Sequence, residues 1–151
     1  MKILGIDPGQ SGAMVLINET GKIQMMINMP ETPMDILENI EALNPDICYL
    51  EDVGQGMPGQ SSSATAKFAR HNGHLEMALL ALKISTVKVL PNKWQKALGL
   101  GSRKKDGVKE EKRDHKNRIK GWAQLTFPSA KVTLKNADAI AIAYYGYLAQ
   151  K

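Results

Sequence analysis

The sequence predicts an α/β chain whose mixed β-sheet opens with a three-strand antiparallel meander and is flanked by helices. Three features predict it. Three short apolar runs near the start are separated by two tight turn signals. Longer segments with helical spacing then alternate with short runs of buried-strand type. A length of 151 residues suits one core and is short for two, which predicts a single domain over 1–151.

The elements follow in order. Residues 2–7 read as a first strand, and Pro8 to Gly12 as a turn. Ala13 to Ile17 is a second strand, followed by the turn signal Asn18-Glu19-Thr20-Gly21, and Ile23 to Met29 is a third. Met34, Leu37, Ile40 and Leu43 recur at helical spacing, and Asn44-Pro45-Asp46 stops that helix. Ile47 to Leu50 is a short buried strand. A glycine-rich loop from Gly54 to Gln60 leads to Ser61-Ser62-Ser63, which can cap a long Ala- and Leu-rich helix from Ala64 to Leu82. Thr86 to Leu90 is a strand, and Pro91 suits the first turn of a helix through Leu98. Gly99 to Gly107 reads as a Gly/Lys loop. Lys112 to Phe127 reads as a basic helix whose apolar side is Ile119, Trp122, Ala123 and Leu125. Asn136 to Leu148 closes the chain as a helix.

Apolar residues make up 43% of the chain, as in a water-soluble globular protein. No run approaches the roughly 20 apolar residues of a membrane span. Met1 to Asp7 reads as a strand, not as a leader, so the expectation is a cytoplasmic protein without a membrane partner. The single cysteine, Cys48, lies in an apolar run, which excludes an internal disulfide and a Cys-rich zinc site. The net charge of +5 is concentrated in one place. Residues 103–120 hold nine Lys or Arg against four Asp or Glu, whereas the remainder is balanced. A basic patch on a neutral body points to a polyanion, although a solvated loop has the same composition.

Three acids stand where acids are conspicuous. Asp7 ends the first strand before Pro8-Gly9, and Glu51-Asp52 ends the strand Ile47 to Leu50. Asp138 sits among alanines at the start of the closing helix. Singly, each has an ordinary reading: a turn cap, a solvated strand end, a helix-dipole partner. Together, two strand-end acids and one helix-start acid can converge at one end of a sheet, where open α/β folds place their ligands. Oxygen ligands on rigid elements suit Mg²⁺ or Mn²⁺, and paired ions of this kind serve phosphodiester cleavage.

Ile3-Leu4-Gly5-Ile6-Asp7-Pro8-Gly9 with Ser11-Gly12-Ala13, then Tyr49-Leu50-Glu51-Asp52, then Ala137-Asp138-Ala139-Ile140-Ala141-Ile142-Ala143 resemble, in order, the acidic motifs of RuvC-type Holliday junction resolvases. Met57-Pro58-Gly59-Gln60 and Leu90 to Lys96 resemble the phage-encoded and chloroplast members. The resemblance spans nearly the whole chain. It implies an RNase H-like fold, a homodimer, one or two Mg²⁺ ions per protomer with Mn²⁺ as an alternative, and symmetric nicking of four-way branched DNA. It places Asp7, Glu51 and Asp138 as catalytic metal ligands, Asp7 bridging two ions. It also admits a phage-encoded protein acting in a host cytoplasm; an organelle is less expected, for want of a transit peptide. The sequence departs from the pattern at Lys135. Bacterial members carry Asp or His three residues before the last acid, and an ammonium cannot ligate a cation. Asp52 or water would then substitute, or Lys135 turns outward to DNA, or one of the two metal sites is weak. Two other readings are a nuclease for hybrid or other branched substrates on the same fold, and a junction-binding protein without catalysis.

DNA contacts are expected from Gln60, Ser61 and Lys67 at the glycine-rich loop and helix start, and from Lys104, Lys105, Lys109, Lys112, Lys116 and Lys135. Met57 is the candidate for an apolar wedge against unstacked bases, set against a partly buried loop methionine. His71 and His74 have ligand-like spacing but no evident third partner, which favours a partly exposed helix face. His115 lies among lysines and reads as solvated; Trp94 and Trp122 read as core. The Ala64–Leu82 helix, more apolar than one buried stripe needs, is the candidate dimer interface.

If residues 103–120 bind DNA backbone, replacing Lys104, Lys105 and Lys109 by alanine flattens the slope of log affinity against log salt by roughly 0.7–0.9 for each phosphate no longer neutralised. Binding titrations at several salt concentrations read this slope, and an unchanged value would mark the segment as a solvated loop.

Overall fold

In the computed structural model, the described residues are 1–54, 59–101, 104–105 and 107–151, with the backbone alone described at 104 and 105. Strands β1 (Ile3–Asp7), β2 (Ala13–Ile17), β3 (Ile23–Asn28), β4 (Ile47–Glu51) and β5 (Ser85–Val89) form one sheet in the order β3-β2-β1-β4-β5. The first three are antiparallel neighbours, and β4 runs parallel to both β1 and β5. The meander and the mixed sheet expected from the sequence are both present.

The helices are α1 (Pro33–Leu43), α2 (Ser62–Ala81), α3 (Pro91–Ala97), α4 (Lys112–Thr126) and α5 (Ala137–Ala149). Local chemistry fixes several of their ends. Thr32 accepts the Asp35 amide at 3.0 Å ahead of Pro33, and Asn44 closes α1 in the left-handed region. Ser61 accepts the Ala64 amide at 3.1 Å and starts α2. Pro91 opens α3, where its missing N–H is not needed. The segment read as a loop over 99–107 is in part a small hairpin, β6 (Lys104–Lys105) paired with β7 (Val108–Lys109). Lysines at strand positions and a positive-φ Gly107 carry too little apolar signal for alternation to reveal it.

Strand parity sorts the interior into two cores. Leu4, Ile6, Met14, Leu16, Cys48 and Leu50 face α1 and α2, meeting Ile36, Ile40, Leu75 and Leu79. Ile3, Ala13, Val15, Ile17 and Tyr49 face the other way, toward α3, α4 and α5. Two helical assignments from spacing alone need correction. Met34 is 61% exposed and Ile36 takes its place on the buried face of α1. Leu125 is 84% exposed, because two residues beyond Ala123 lies most of a half-turn from the apolar stripe.

Helix α5 is buried on almost every side, with Ala137 and Ala139 to Ala143 all inside. It packs across β1, β2 and β4. Its closest approach is at Gly5, where a Cβ would lie 2.4 Å from the Ala143 backbone nitrogen and 2.7 Å from the Ala139 carbonyl oxygen. Gly146 makes the reciprocal fit on the helix, since a Cβ there would lie 2.5 Å from the Tyr49 ring. Before α5, Thr133 and Asn136 lock each other: the Thr133 amide donates to Asn136 Oδ1 at 2.8 Å and the Asn136 amide to Thr133 Oγ1 at 3.2 Å.

Gly5→Ala therefore sets a methyl against helix backbone that has no side chain to swing aside. The expected loss of stability is about 3 kcal/mol or more, at the upper end of overpacking. Urea denaturation measures it, and a loss below about 1 kcal/mol would show that α5 can retreat from β1.

Candidate metal and nucleic-acid site

Parity also aims the acids. Asp7 shares the face of Ile3 and Gly5, and Glu51 shares the face of Ile47 and Tyr49. Both side chains therefore leave the strand ends on the α5 side of the sheet. β1 and β4 are parallel neighbours, so these ends lie together, and α5 begins there with Asp138 in its first turn. The three carboxylates expected at one end of the sheet are brought there by β1, β4 and the Gly5 contact.

Their electrostatics record the proximity. Burial raises the pKa of Asp7 well above the usual carboxylate range, and the charges of Glu51 and Asp138 raise it further. Glu51 is 7% exposed; burial, with the Asp138 charge in addition, lifts its pKa from 4.5 to about 7 against the lowering effect of a hydrogen bond from Trp94. Asp138 is also raised by burial, opposed by Lys116 and His115. Lys116 on α4 lowers all three. Among the described residues of the basic segment, it is the lysine whose charge reaches all three acids. Among the described residues, no group of three or more His, Cys, Asp or Glu is arranged to hold a metal ion as it stands. The set is an open one: three hard oxygen donors, mutually repelling and incompletely compensated, on rigid elements. Such a set fits Mg²⁺ or Mn²⁺, which keep water ligands, better than a softer metal.

Sequence reasoning missed two residues near this site. Trp94 is fully buried, as expected, but its indole N–H also donates to Glu51 Oε2 at 2.7 Å. His115, read as solvated, is 7% exposed. Its Nδ1 lies 3.1 Å from Glu110 Oε1 and 2.8 Å from Arg118 Nη2, and Arg118 also donates to Glu110 and to the Leu100 carbonyl. This cluster ties the segment around the hairpin to α4. Spacing could have found His115, because it precedes the buried Ile119 and Ala123 by four and eight residues on one helical face. Nothing in the sequence pairs Trp94 with Glu51, 43 residues away.

The remaining expected DNA-binding residues that the structure describes are all exposed. Gln60, Ser61 and Lys67 are exposed at the start of α2, with Ser61 Oγ engaged as the cap. Lys109 and Lys112 are exposed on β7 and at the start of α4. The side chains of Lys104 and Lys105 and the whole of Met57 lie outside the described residues. Lys135 is exposed on the loop ahead of α5. His71 and His74 are partly buried along α2. They line a cavity of about 390 Å³ with Lys67, Phe68 and Arg70, beside Gly9 and Gln10. Cys48 is buried, and Trp122 packs partly buried against Tyr144 at 5.8 Å between ring centroids.

No protein-family model and no curated protein sequence matches the chain. Solved structures do. RuvC of Thermus thermophilus in complex with Holliday junction substrate is similar at a TM-score of 0.67 and 16% identity, over 99% of this chain and 95% of that one. A second Thermus thermophilus RuvC structure gives 0.64 and 17%, over 99% and 96%. The fowlpox virus Holliday junction resolvase gives 0.60 and 12%, over 99% and 97%. These likenesses establish the fold as the RNase H-like α/β arrangement that the sequence motifs imply.

The raised carboxylates have a consequence for stability. An acid whose pKa is higher folded than unfolded stabilises the fold below its unfolded value, and that contribution is lost as pH rises through the folded value. For Glu51 the window runs from 4.5 to about 7. Metal-free protein should therefore lose up to about 3 kcal/mol across it on this account. Glu51→Gln removes that share and should be the more stable protein at pH 8 in chelator, while saturating Mg²⁺ should flatten the wild-type slope. Chemical denaturation from pH 4.5 to pH 8 checks all three; a pH-independent wild type would mean that the acids are not desolvated.

Proposed function

We propose that this chain is a metal-dependent endonuclease that resolves four-way DNA junctions by phosphodiester hydrolysis. The observation that carries the reading is the convergence of Asp7, Glu51 and Asp138, with Lys116 opposite, at one end of a sheet whose fold is that of junction resolvases. Of the similar structures, the fowlpox virus protein is a Holliday junction resolvase by name, and one Thermus thermophilus RuvC holds Holliday junction substrate. The in-order acidic motifs add support independent of that likeness.

Asp7, Glu51 and Asp138 would hold Mg²⁺, or Mn²⁺ in its place, one or two ions per protomer. When bound, such ions promote ionisation of a water and stabilise the departing oxygen. The protein's own residues do the rest. The carboxylates fix where charge can be neutralised. Lys116, exposed and close enough to act on all three, would meet the negative charge that grows on the phosphate. Lys109 and Lys112 extend the cationic surface along β7 and α4, and Gln60, Ser61 and Lys67 offer polar contacts from α2. Lys135 is exposed on the loop locked by Thr133 and Asn136 and would meet phosphate there. No described helix is long and apolar enough to cross a membrane.

Paired nicks across a two-fold junction need two active sites, and a homodimer supplies them. Helix α2 has the surface for it. Ala66, Ala69, Gly73, Met77 and Leu80 recur at spacings of three and four on its exposed side, with Met77 60% and Leu80 71% exposed. Small residues at one end and large apolar ones at the other suit a close helix pair.

Asp7→Asn should abolish nicking, by more than a hundredfold, and leave junction binding unchanged or tighter, because affinity comes from phosphates and chemistry from the acids. Gel shift and nicking on a four-way junction, a plain duplex and an RNA–DNA hybrid, with and without Mg²⁺, test the whole reading. Cleavage of hybrid in preference to junction would assign another nuclease on this fold; tight junction binding without cleavage in Mg²⁺ or Mn²⁺ would assign a binding protein.

Light scattering should give about twice 16.6 kDa for the wild type at micromolar concentration, and the monomer for Met77→Glu combined with Leu80→Glu. A wild type that is monomeric both free and on the junction would rule out the α2 interface.

A further inference from the structure

We infer that the cavity between α2 and the turn after β1 is a nucleotide-phosphate site, separate from the three carboxylates and on the other face of the sheet. The inference goes beyond the nuclease reading and does not rest on it. Lys67, Arg70, His71 and His74 all line this cavity of about 390 Å³. On a helix, residues three and four apart are neighbours. Lys67 therefore stands beside Arg70 and His71, and His74 stands beside the same two, in one stripe of α2. Lys67 and Arg70 are exposed, and the two histidines are half-buried. Among the described residues, none of the four side chains has a hydrogen-bond or ion-pair partner. Glu76, further along α2, is taken by Lys88 at 2.8 Å. Glu31 is the single acid among the described lining residues. Ile36, of the core on the α1 and α2 side, also lines the cavity, whereas Asp7 and Glu51 leave the sheet on the α5 side.

Bases at this spacing repel one another and weaken a helix unless an anion offsets them. His71 adds an unmet demand. Its Nε2 is enclosed and has no partner among the described residues, and a buried polar atom normally has one. Burial, and then the charge of His74, hold its pKa below the usual histidine value. At pH 7 the ring is therefore neutral and keeps one N–H to donate, which an oxyanion would accept once the ring turns toward the cavity. A carboxylate offers two oxygens in one plane. A phosphate offers its oxygens in tetrahedral directions, which suits donors arriving from two turns of a helix. The cavity is also much larger than a phosphate alone, and Pro30, Pro33 and Phe68 form part of its lining. Apolar and aromatic surface beside a cationic stripe suits a nucleoside carried on that phosphate. The chemistry is the same whether the nucleotide is one unit of a strand or free in solution.

Imidazole NMR spectra of the full wild-type chain, in chelator and at fixed ionic strength, read the site directly. His71→Gln and His74→Gln assign two of the three histidine rings. Two probes separate the sources of the phosphate: deoxyadenosine 5′-monophosphate, and a thymidine tetranucleotide without terminal phosphate. We expect His71 and His74 to shift saturably with one or both. A response to the tetranucleotide assigns a strand phosphate, and a response to the monophosphate alone assigns a free nucleotide. A response to neither, or one confined to His115, would overturn the inference. Deoxyadenosine without its phosphate should leave both rings in place; a saturable shift with it, or an equal shift with sodium acetate, would remove the phosphate from the assignment and overturn it too. Arg70→Ala alters an exposed, unpaired side chain, and should weaken the responding probe by roughly tenfold, the scale of one charge-assisted hydrogen bond. Unchanged affinity in that variant would contradict the site. None of these measurements reads junction cleavage, so the nuclease reading stands or falls separately.

Discussion

The contact between Gly5 and the backbone of α5 governs the end of this molecule where the three carboxylates meet. A helix built of alanine, isoleucine and glycine meets a strand at a residue without a side chain, and nothing stands between the two backbones. The separation of α5 from β1 is thereby set by main-chain atoms alone. Since Asp138 adjoins Ala139 in the same helix, its distance from the β1 end is set by the same contact. Gly146 against Tyr49 fixes the far end of the helix, and the Thr133–Asn136 lock fixes its start. Three constraints on one helix leave the first-turn acid little freedom.

The site so formed is electrostatically unfavourable in the absence of a cation. Burial and mutual repulsion both act against charge on Asp7 and Glu51, and one exposed lysine offsets them in part. A fold tolerates that only where surrounding structure imposes it, which is what rigid strand ends and a buried helix do. On the opposite wall, the Glu110–His115–Arg118 cluster anchors the basic segment to α4. Lys112 and Lys116 therefore lie on the helix that this cluster braces. Lys135 stands apart from it, at a loop position where its charge faces outward.

Much of this is legible in the sequence, and the failures have physical reasons. Strands β1 to β4 can be read because their apolar runs are bounded by turn residues, and the acids because they end such runs. Parity then gives the face of Asp7 and Glu51 without any structure. Gly5 is also within reach, since a glycine inside an apolar strand marks a close approach. The β6–β7 hairpin is not, because two-residue strands of lysine and valine carry no periodicity. His115 reads as solvated from its charged neighbours, although its spacing to Ile119 points inward. The Trp94–Glu51 bond joins residues on α3 and β4, and pairings of that kind follow from the packing of a helix on a sheet, not from any local pattern.

The small-residue seam between β1 and α5 also bears on how far such a chain can diverge. Backbone-to-backbone packing asks of its residues only that they be absent or small, and the two cores ask only for apolar groups of suitable parity. Neither demand specifies a particular amino acid at most positions. Very different sequences can therefore build one scaffold, as the same fold at 12–17% identity over almost the full length illustrates. Comparison by letters loses track of such a chain long before comparison by shape does.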